Sequence, residues 1–279
     1  MLKKYRIPII IFFLLAAGAM VAAYFYDLKL DIRLNDPDNA FAVWLRNTGE
    51  MPGRIAPIAA GIVLLRCTTK RWQKFCGLLL VTAGSVHMGY DLGDMFFKDE
   101  HKVLFSVLWG VGYALLFLFF SHFVTVPKKY KRALITMAVV CVCVFASAML
   151  INTGMKYLWG RVRFRTLLAD GSFDAFTGFW VINGVNGNRS FPSGHTANAA
   201  MFYLAMLLPY LNKKIRKYWF LCWLVPFLYT SAVAYSRLVM GAHYLSDVTV
   251  GGMIGFSCVL IGMYVFERLD AKRHLLPYS

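Results

Sequence analysis

The chain is a succession of long apolar runs separated by short polar links. Runs able to cross a hydrocarbon core of about 30 Å fall near residues 7–25, 52–67, 75–97, 103–125, 133–156, 195–211, 218–235 and 247–266. This pattern predicts an all-α, polytopic transmembrane bundle of about eight spans: a six-span core preceded by an extra N-terminal pair. The second run is the weakest, being short and carrying Pro52 and Pro57, so a re-entrant or interfacial pair is the alternative there. The first run follows Lys3, Lys4 and Arg6 like a secretion signal, but it is long enough to span and has no convincing small-residue cleavage site. It reads as a retained helix.

The links alternate in charge. Lys and Arg collect before the first run (Lys3, Lys4, Arg6), between the second and third (Arg66, Lys70, Arg71, Lys74), between the fourth and fifth (Lys128, Lys129, Lys131, Arg132) and between the sixth and seventh (Lys213, Lys214, Arg216, Lys217). Short cytoplasmic loops gather such residues, so both termini are expected in the cytoplasm. The first outer link is acid-rich instead, through Asp27, Asp31, Asp36, Asp38 and Glu50.

Composition agrees. Of 279 residues, 59% are hydrophobic and 16% charged, against about 25% charged in ordinary soluble domains. The net charge of +16 sits in clusters between apolar runs, which fits membrane loops and anionic headgroups and excludes a nucleic-acid-binding face. Six cysteines lie in or beside apolar runs without metal-ligand spacing, and they read as small buried hydrophobes. His87, Asp91 and Asp94 in or near the outer part of the third run match no motif and read as bonds to neighbouring helices, with the lining of a substrate pocket as the second reading.

One outer link breaks the charge rule. Residues 157–191 carry Arg161, Arg163, Arg165 and Arg189, just past Lys156, and an anionic ligand would explain them, with interfacial snorkelling as the plain alternative. The same side receives Pro192-Ser193-Gly194-His195 at the start of the sixth run. It also receives Ser236-Arg237-Leu238-Val239-Met240-Gly241-Ala242-His243-Tyr244-Leu245-Ser246-Asp247 between the seventh and eighth. Lys156, Arg163 and Arg237 offer fixed cations, and a loop-to-helix turn at Ser193-Gly194 offers backbone N–H groups and a hydroxyl to an anion. If the last helix starts near Gly241, His243 and Asp247 share a face, and the carboxylate orients an imidazole that can attack phosphorus through its other nitrogen. His195 is the remaining acid/base group.

Lys156-x6-Arg163, Pro192-Ser193-Gly194-His195 and Ser236-Arg237-x5-His243-x3-Asp247 together resemble the three-part signature of the type-2 phosphatidic acid phosphatase superfamily. The resemblance covers about 92 positions, from 156 to 247, and leaves the first half of the chain untouched. It implies a metal-independent phosphohistidine mechanism without a cofactor. His243 is then the nucleophile, Asp247 its orienter and His195 the acid/base, with Lys156, Arg163, Ser193, Gly194 and Arg237 as the phosphate cradle. The family usually has proline after the first-motif arginine where this chain has Phe164; Arg161 is therefore kept as an alternative to Arg163.

The reading is a single integral-membrane domain, with N-terminal helices over residues 1–132 and the phosphatase core over 133–266. The expected setting is a bacterial plasma membrane with an extracytoplasmic site. The expected activity is a lipid phosphate or pyrophosphate phosphatase, on substrates such as undecaprenyl pyrophosphate, phosphatidylglycerol phosphate, phosphatidic acid or lipid A. A lipid phosphotransferase would carry the same residues; an anionic-lipid transporter or scaffold would need the cations but not the His243–Asp247 spacing. Phe173, Phe176, Phe179 and Trp180 suggest either interfacial anchors or the border of a lipid entry, and Phe41, Trp44 and Leu45 an interfacial helix.

Overall fold

The computed structural model describes residues 2–96, 101–212 and 214–276; the side chains of Asp91 and Asp94 lie outside what it describes. Among the described residues the structure is helical and contains no strand. The helices are α1 (Arg6–Leu34), α2 (Ala40–Thr48), α3 (Met51–Cys67), α4 (Arg71–Phe96), α5 (His101–His122), α6 (Lys128–Trp159), α7 (Phe164–Asp170), α8 (Gly194–Ala199), α9 (Leu208–Leu211), α10 (Leu221–Val239) and α11 (Leu245–Arg273). Among the described residues each of the eight apolar runs is largely helical, the fourth extending past the end of α5 and the seventh beginning before α10. The sixth is not one regular helix: α8 passes into a 3-10 stretch, Ala200–Leu207, before α9.

Four segments among the described residues are long and apolar enough to cross a bilayer: Leu2–Leu34, Lys102–His122, Lys128–Asp170 and Leu245–Arg273. Large apolar side chains such as Ile7, Leu14, Leu115 and Leu150 point outward, which is the economical arrangement when the surroundings are hydrocarbon. The chain is an integral membrane protein.

Two compact units divide the chain: residues 1–50 with 146–260, and residues 51–145 with 261–279. In the second, α4 packs against both α3 and α5. Small residues let these backbones close up. A Cβ added to Gly77 would stand 2.8 Å from the Gly61 carbonyl oxygen, and one added to Gly89 would stand 2.5 Å from the Gly110 nitrogen.

The first unit carries all three motifs. Phe12 of α1, Tyr203 and Phe256 of α11 pack as an aromatic cluster, with ring centroids 4.3 to 6.0 Å apart. Gly251 and Gly255 of α11 sit against Ser193 and Ala200, and a Cβ at Gly255 would lie 2.6 Å from the Ala200 Cβ. These two glycines bring the second motif onto the third. Helix α2 is amphipathic: Asn39 caps it by accepting from the Ala42 N–H at 3.1 Å, and Phe41 and Trp44 are exposed. Leu45, grouped with those exposed aromatics in the sequence, is instead buried against Ala199 and Val233.

Candidate active site

The site lies within the first unit, where four chain regions meet. Asp247 is its best-held residue. It is fully buried, and Oδ1 accepts from Arg161 Nη1 at 2.7 Å while Oδ2 accepts from Ser190 Oγ at 2.5 Å and from the Tyr244 N–H at 3.1 Å. The last bond explains why His243 and Asp247 are close. Helix α11 begins at Leu245, so the expectation that both residues ride one helix face from Gly241 is corrected: His243 lies in the turn before the helix. Asp247 is the third helical residue and reaches back to the preceding backbone N–H, half of a capping box. His243 Nδ1 then faces Asp247 Oδ2 at 3.4 Å without completing a hydrogen bond, and Nε2 is the nitrogen left for chemistry.

Burial pulls the His243 imidazole down from its ordinary value of 6.5 to about 3, against the upward pull of Asp247 and with further lowering by Lys156 and Arg163. The resting imidazole is therefore neutral near pH 7. An unfolded chain binds its proton near pH 6.5 and the folded one only near pH 3. Stability from this group is thus complete above pH 6.5 and lost as pH falls towards 3. Thermal unfolding in detergent is expected to show a steeper loss of midpoint between pH 7 and 4 for the wild type than for His243→Gln. Parallel curves would contradict the buried neutral histidine.

The cations surround this histidine unequally. Arg237 is 2% exposed, and its Nη2 contacts Met240 Sδ at 3.1 Å while Nε and Nη1 have no hydrogen-bond partner. A buried guanidinium with idle donors is costly unless an anion completes it. Arg163 is the N-cap residue of α7, half-buried with extended backbone; its carbonyl accepts from the Thr166 and Leu167 N–H groups, and its side chain makes no capping bond. Lys156, near the end of α6, donates from Nζ to the Arg189 carbonyl at 3.1 Å.

Arg161 has a different setting from its neighbour two residues on. It is completely buried, donates to Asp27, Asp247, Ser246 and the Thr177 carbonyl, and its guanidinium lies 4.0 Å from the Tyr244 ring centroid and 5.3 Å from that of Phe176. Its donors are thus committed to protein groups, while those of Arg163 are not.

Ser193 is the N-cap of α8, its Oγ accepting from the Thr196 N–H at 3.4 Å and the Thr196 hydroxyl at 3.1 Å. Gly194 follows against α6: a Cβ there would stand 3.6 Å from Asn152 Oδ1 and 3.7 Å from Lys156 Cε, ordinary contact distances. His195, a third exposed at its side chain, places Nδ1 2.9 Å from Glu50 Oε1. Phe164, standing where proline is usual, starts α7 fully buried against Leu167 and Tyr244 and stacked on Phe173 at 5.9 Å. Packing and the Arg165 N–H to Gly241 carbonyl bond, 2.9 Å, hold the turn that proline would have preset.

Sequence reasoning missed Asp27, Glu50, Asn152 and Ser190. Asp27 accepts from Arg161 at 2.9 Å, from the Ser246 N–H at 3.0 Å and from the Ser246 hydroxyl. Asn152, one turn before Lys156 and buried, donates to the Ser193 carbonyl at 3.2 Å. Of the loop aromatics, Phe176 packs edge-on against Tyr244, Phe173 stacks on Phe164 while remaining exposed, and Trp180 is exposed. Among the described residues no group of three or more His, Cys, Asp or Glu is placed to hold a metal ion.

Residues 136–270 match the family model described as the PAP2 superfamily. A lipid A 4'-phosphatase of Bacteroides thetaiotaomicron is 28% identical over 169 residues, covering 60% of this chain and 68% of that protein. A phosphatidylglycerophosphatase B of Bacillus subtilis is 30% identical over 137 residues, covering 46% of this chain and 56% of that protein. No solved structure gives a significant match.

Proposed function

From the match of residues 136–270 to the PAP2 superfamily we propose that the protein is a membrane lipid phosphatase working through phosphohistidine at the outer face of the membrane. The observation that carries the reading is Arg237, a buried guanidinium with two idle donors in the same turn region as a neutral, carboxylate-backed His243. A phosphate group completes that guanidinium and meets the imidazole in the same place. Arg163 and Lys156 share the charge of its other oxygens, so the positive charge a metal would supply comes from side chains.

In the first step His243 Nε2 bonds to phosphorus, the ester oxygen leaves, and His195 gives that oxygen a proton. In the second, water attacks phosphorus, the N–P bond breaks, and His195 takes the water proton back. Asp247, held by Arg161 and Ser190, stabilises the cation that forms on His243.

A lipid rather than a soluble ester is supported by a cavity of about 310 Å³ beside the site. It is lined mostly by apolar groups from α1, α10 and α11, among them Phe12, Ala16, Phe227 and Val248. It reaches Thr196, Leu238 and Leu245, neighbours in sequence of His195, Arg237 and Tyr244. An acyl chain there would keep the headgroup phosphate at the cations. The outward orientation rests on the alternating charge of the links, and a bacterial plasma membrane is the setting in which such a site meets envelope lipids.

The test is phosphate release by purified protein from lipid A, phosphatidylglycerol phosphate, phosphatidic acid and undecaprenyl pyrophosphate. At least one is expected to be hydrolysed, with chelator having no effect and orthovanadate, a mimic of five-coordinate phosphorus, inhibiting. Complete, metal-reversible loss with chelator would contradict the mechanism.

A further inference from the structure

Glu50 stands outside the matched region and outside the three motifs, yet its carboxylate is on the imidazole that the mechanism uses as acid and base. Oε1 lies 2.9 Å from His195 Nδ1, and the Glu50 side chain is 14% exposed. Its placement is built. Tyr229 of α10 donates to the Thr48 carbonyl at 2.9 Å, two residues before Glu50, and Ala42 and Leu45 of α2 are buried against Val239 and Val233 of the same helix. The helix that carries Arg237 therefore also fixes the segment that carries Glu50.

Resting on the phosphatase reading above, we propose that Glu50 is the positioning residue of His195: it holds Nδ1–H, keeps the imidazole protonated before phosphoryl transfer, and leaves Nε2–H for the leaving oxygen. A general acid must keep its proton at working pH, and the surroundings oppose this. Lys156 on α6, Arg163 before α7, Arg189 in the following loop and Arg237 on α10 are cations of this site, and Asp247 on α11 is already committed to Arg161, Ser190 and Tyr244. Glu50 is the carboxylate at His195, and its charge also reaches Lys156 and Arg237. An anion in contact favours imidazolium over imidazole. The two histidines are thereby set apart: His243 is buried and neutral, and His195 is a third exposed with a carboxylate at its Nδ1. When Nε2 gives its proton to the leaving oxygen, Glu50 still accepts from Nδ1–H, so Nε2 is the lone pair that later takes the water proton.

A leaving-group comparison tests this in the full-length protein. Dioctanoyl phosphatidic acid has an alkoxide leaving group that needs a proton; p-nitrophenyl phosphate has a phenolate that leaves without one. Glu50→Gln is expected to lower kcat on the first by about 100-fold, within the range a general acid contributes. It is expected to lower kcat on the second less than about 3-fold and to move the alkaline limb of the pH profile to lower pH. Glu50→Asp should recover part of the loss on the alkyl ester. The ratio of the two substrates is independent of how much variant folds. Equal losses on both substrates would overturn the proposal, leaving Glu50 a structural residue. So would a lower KM with unchanged kcat, which would make Glu50 an occupant of the phosphate pocket. A wild type inactive on every lipid phosphate and on p-nitrophenyl phosphate would overturn the phosphatase reading itself, and the role of Glu50 with it.

Discussion

His243→Ala is expected to lower kcat by about 10⁴-fold or more on any lipid phosphate the wild type hydrolyses, the scale on which a covalent nucleophile is felt. The substitution should leave folding largely intact. His243 Nδ1 makes no formed hydrogen bond, and the backbone of its turn is fixed by the Arg237 carbonyl, which accepts from the Ala242 N–H at 3.0 Å and the His243 N–H at 3.3 Å. The cradle of Arg237, Arg163 and Lys156 also remains, so KM should change far less than kcat. Asp247→Asn should show a smaller loss of kcat, since it removes the charge that stabilises the histidine cation while keeping the side chain's shape. A loss below 10-fold in His243→Ala would remove the nucleophile from the mechanism.

The second large effect concerns stability. Asp27 sits on α1, outside the family match, and neutralises Arg161 where neither side chain reaches solvent, at 0% exposure for Arg161 and 3% for Asp27. Removing one partner of such a pair leaves a buried charge with too few counter-charges, which typically costs about 3–5 kcal/mol. Asp27→Ala also strips the acceptor from the Ser246 N–H in the first turn of α11. At about 2–4 °C per kcal/mol for chains near this size, the thermal midpoint in detergent should fall by roughly 10 °C. Asp27→Asn, which keeps an acceptor oxygen, should fall less. A shift under about 2 °C for Asp27→Ala would show that Asp247 and Ser246 hold Arg161 unaided.

Much of this was legible in the chain because its signals are local. Long apolar runs specify helices in lipid regardless of partners, so the runs are largely helical among the described residues. Spacing also singled out the motif residues, and the structure gathers Lys156, Arg163, His195, Arg237, His243 and Asp247 into one unit. What the chain could not display was pairing across long separations. Asp27 and Glu50 looked like two members of an acid-rich link, and only the tertiary structure sets them against Arg161 and His195, 134 residues away in the first case. The His243–Asp247 geometry was misread for a related reason. An i, i+4 spacing looks alike on a helix face and across a helix cap, and the Tyr244 N–H bond to Asp247 makes it the latter. The sixth run also hid its irregularity, since α8 to α9 passes through a 3-10 stretch that a hydropathy window does not see.

The central claim is a phosphoryl group carried by His243. Rapid acid-free quenching of the wild type during turnover of phosphorus-32-labelled dioctanoyl phosphatidic acid, followed by peptide mapping, tests it most directly. The label is expected on the peptide containing His243, stable in alkali and lost in acid as a phosphoramidate should be, and absent from His243→Ala. Label found on another residue, or normal turnover with no label on the protein at any time point, would contradict the account.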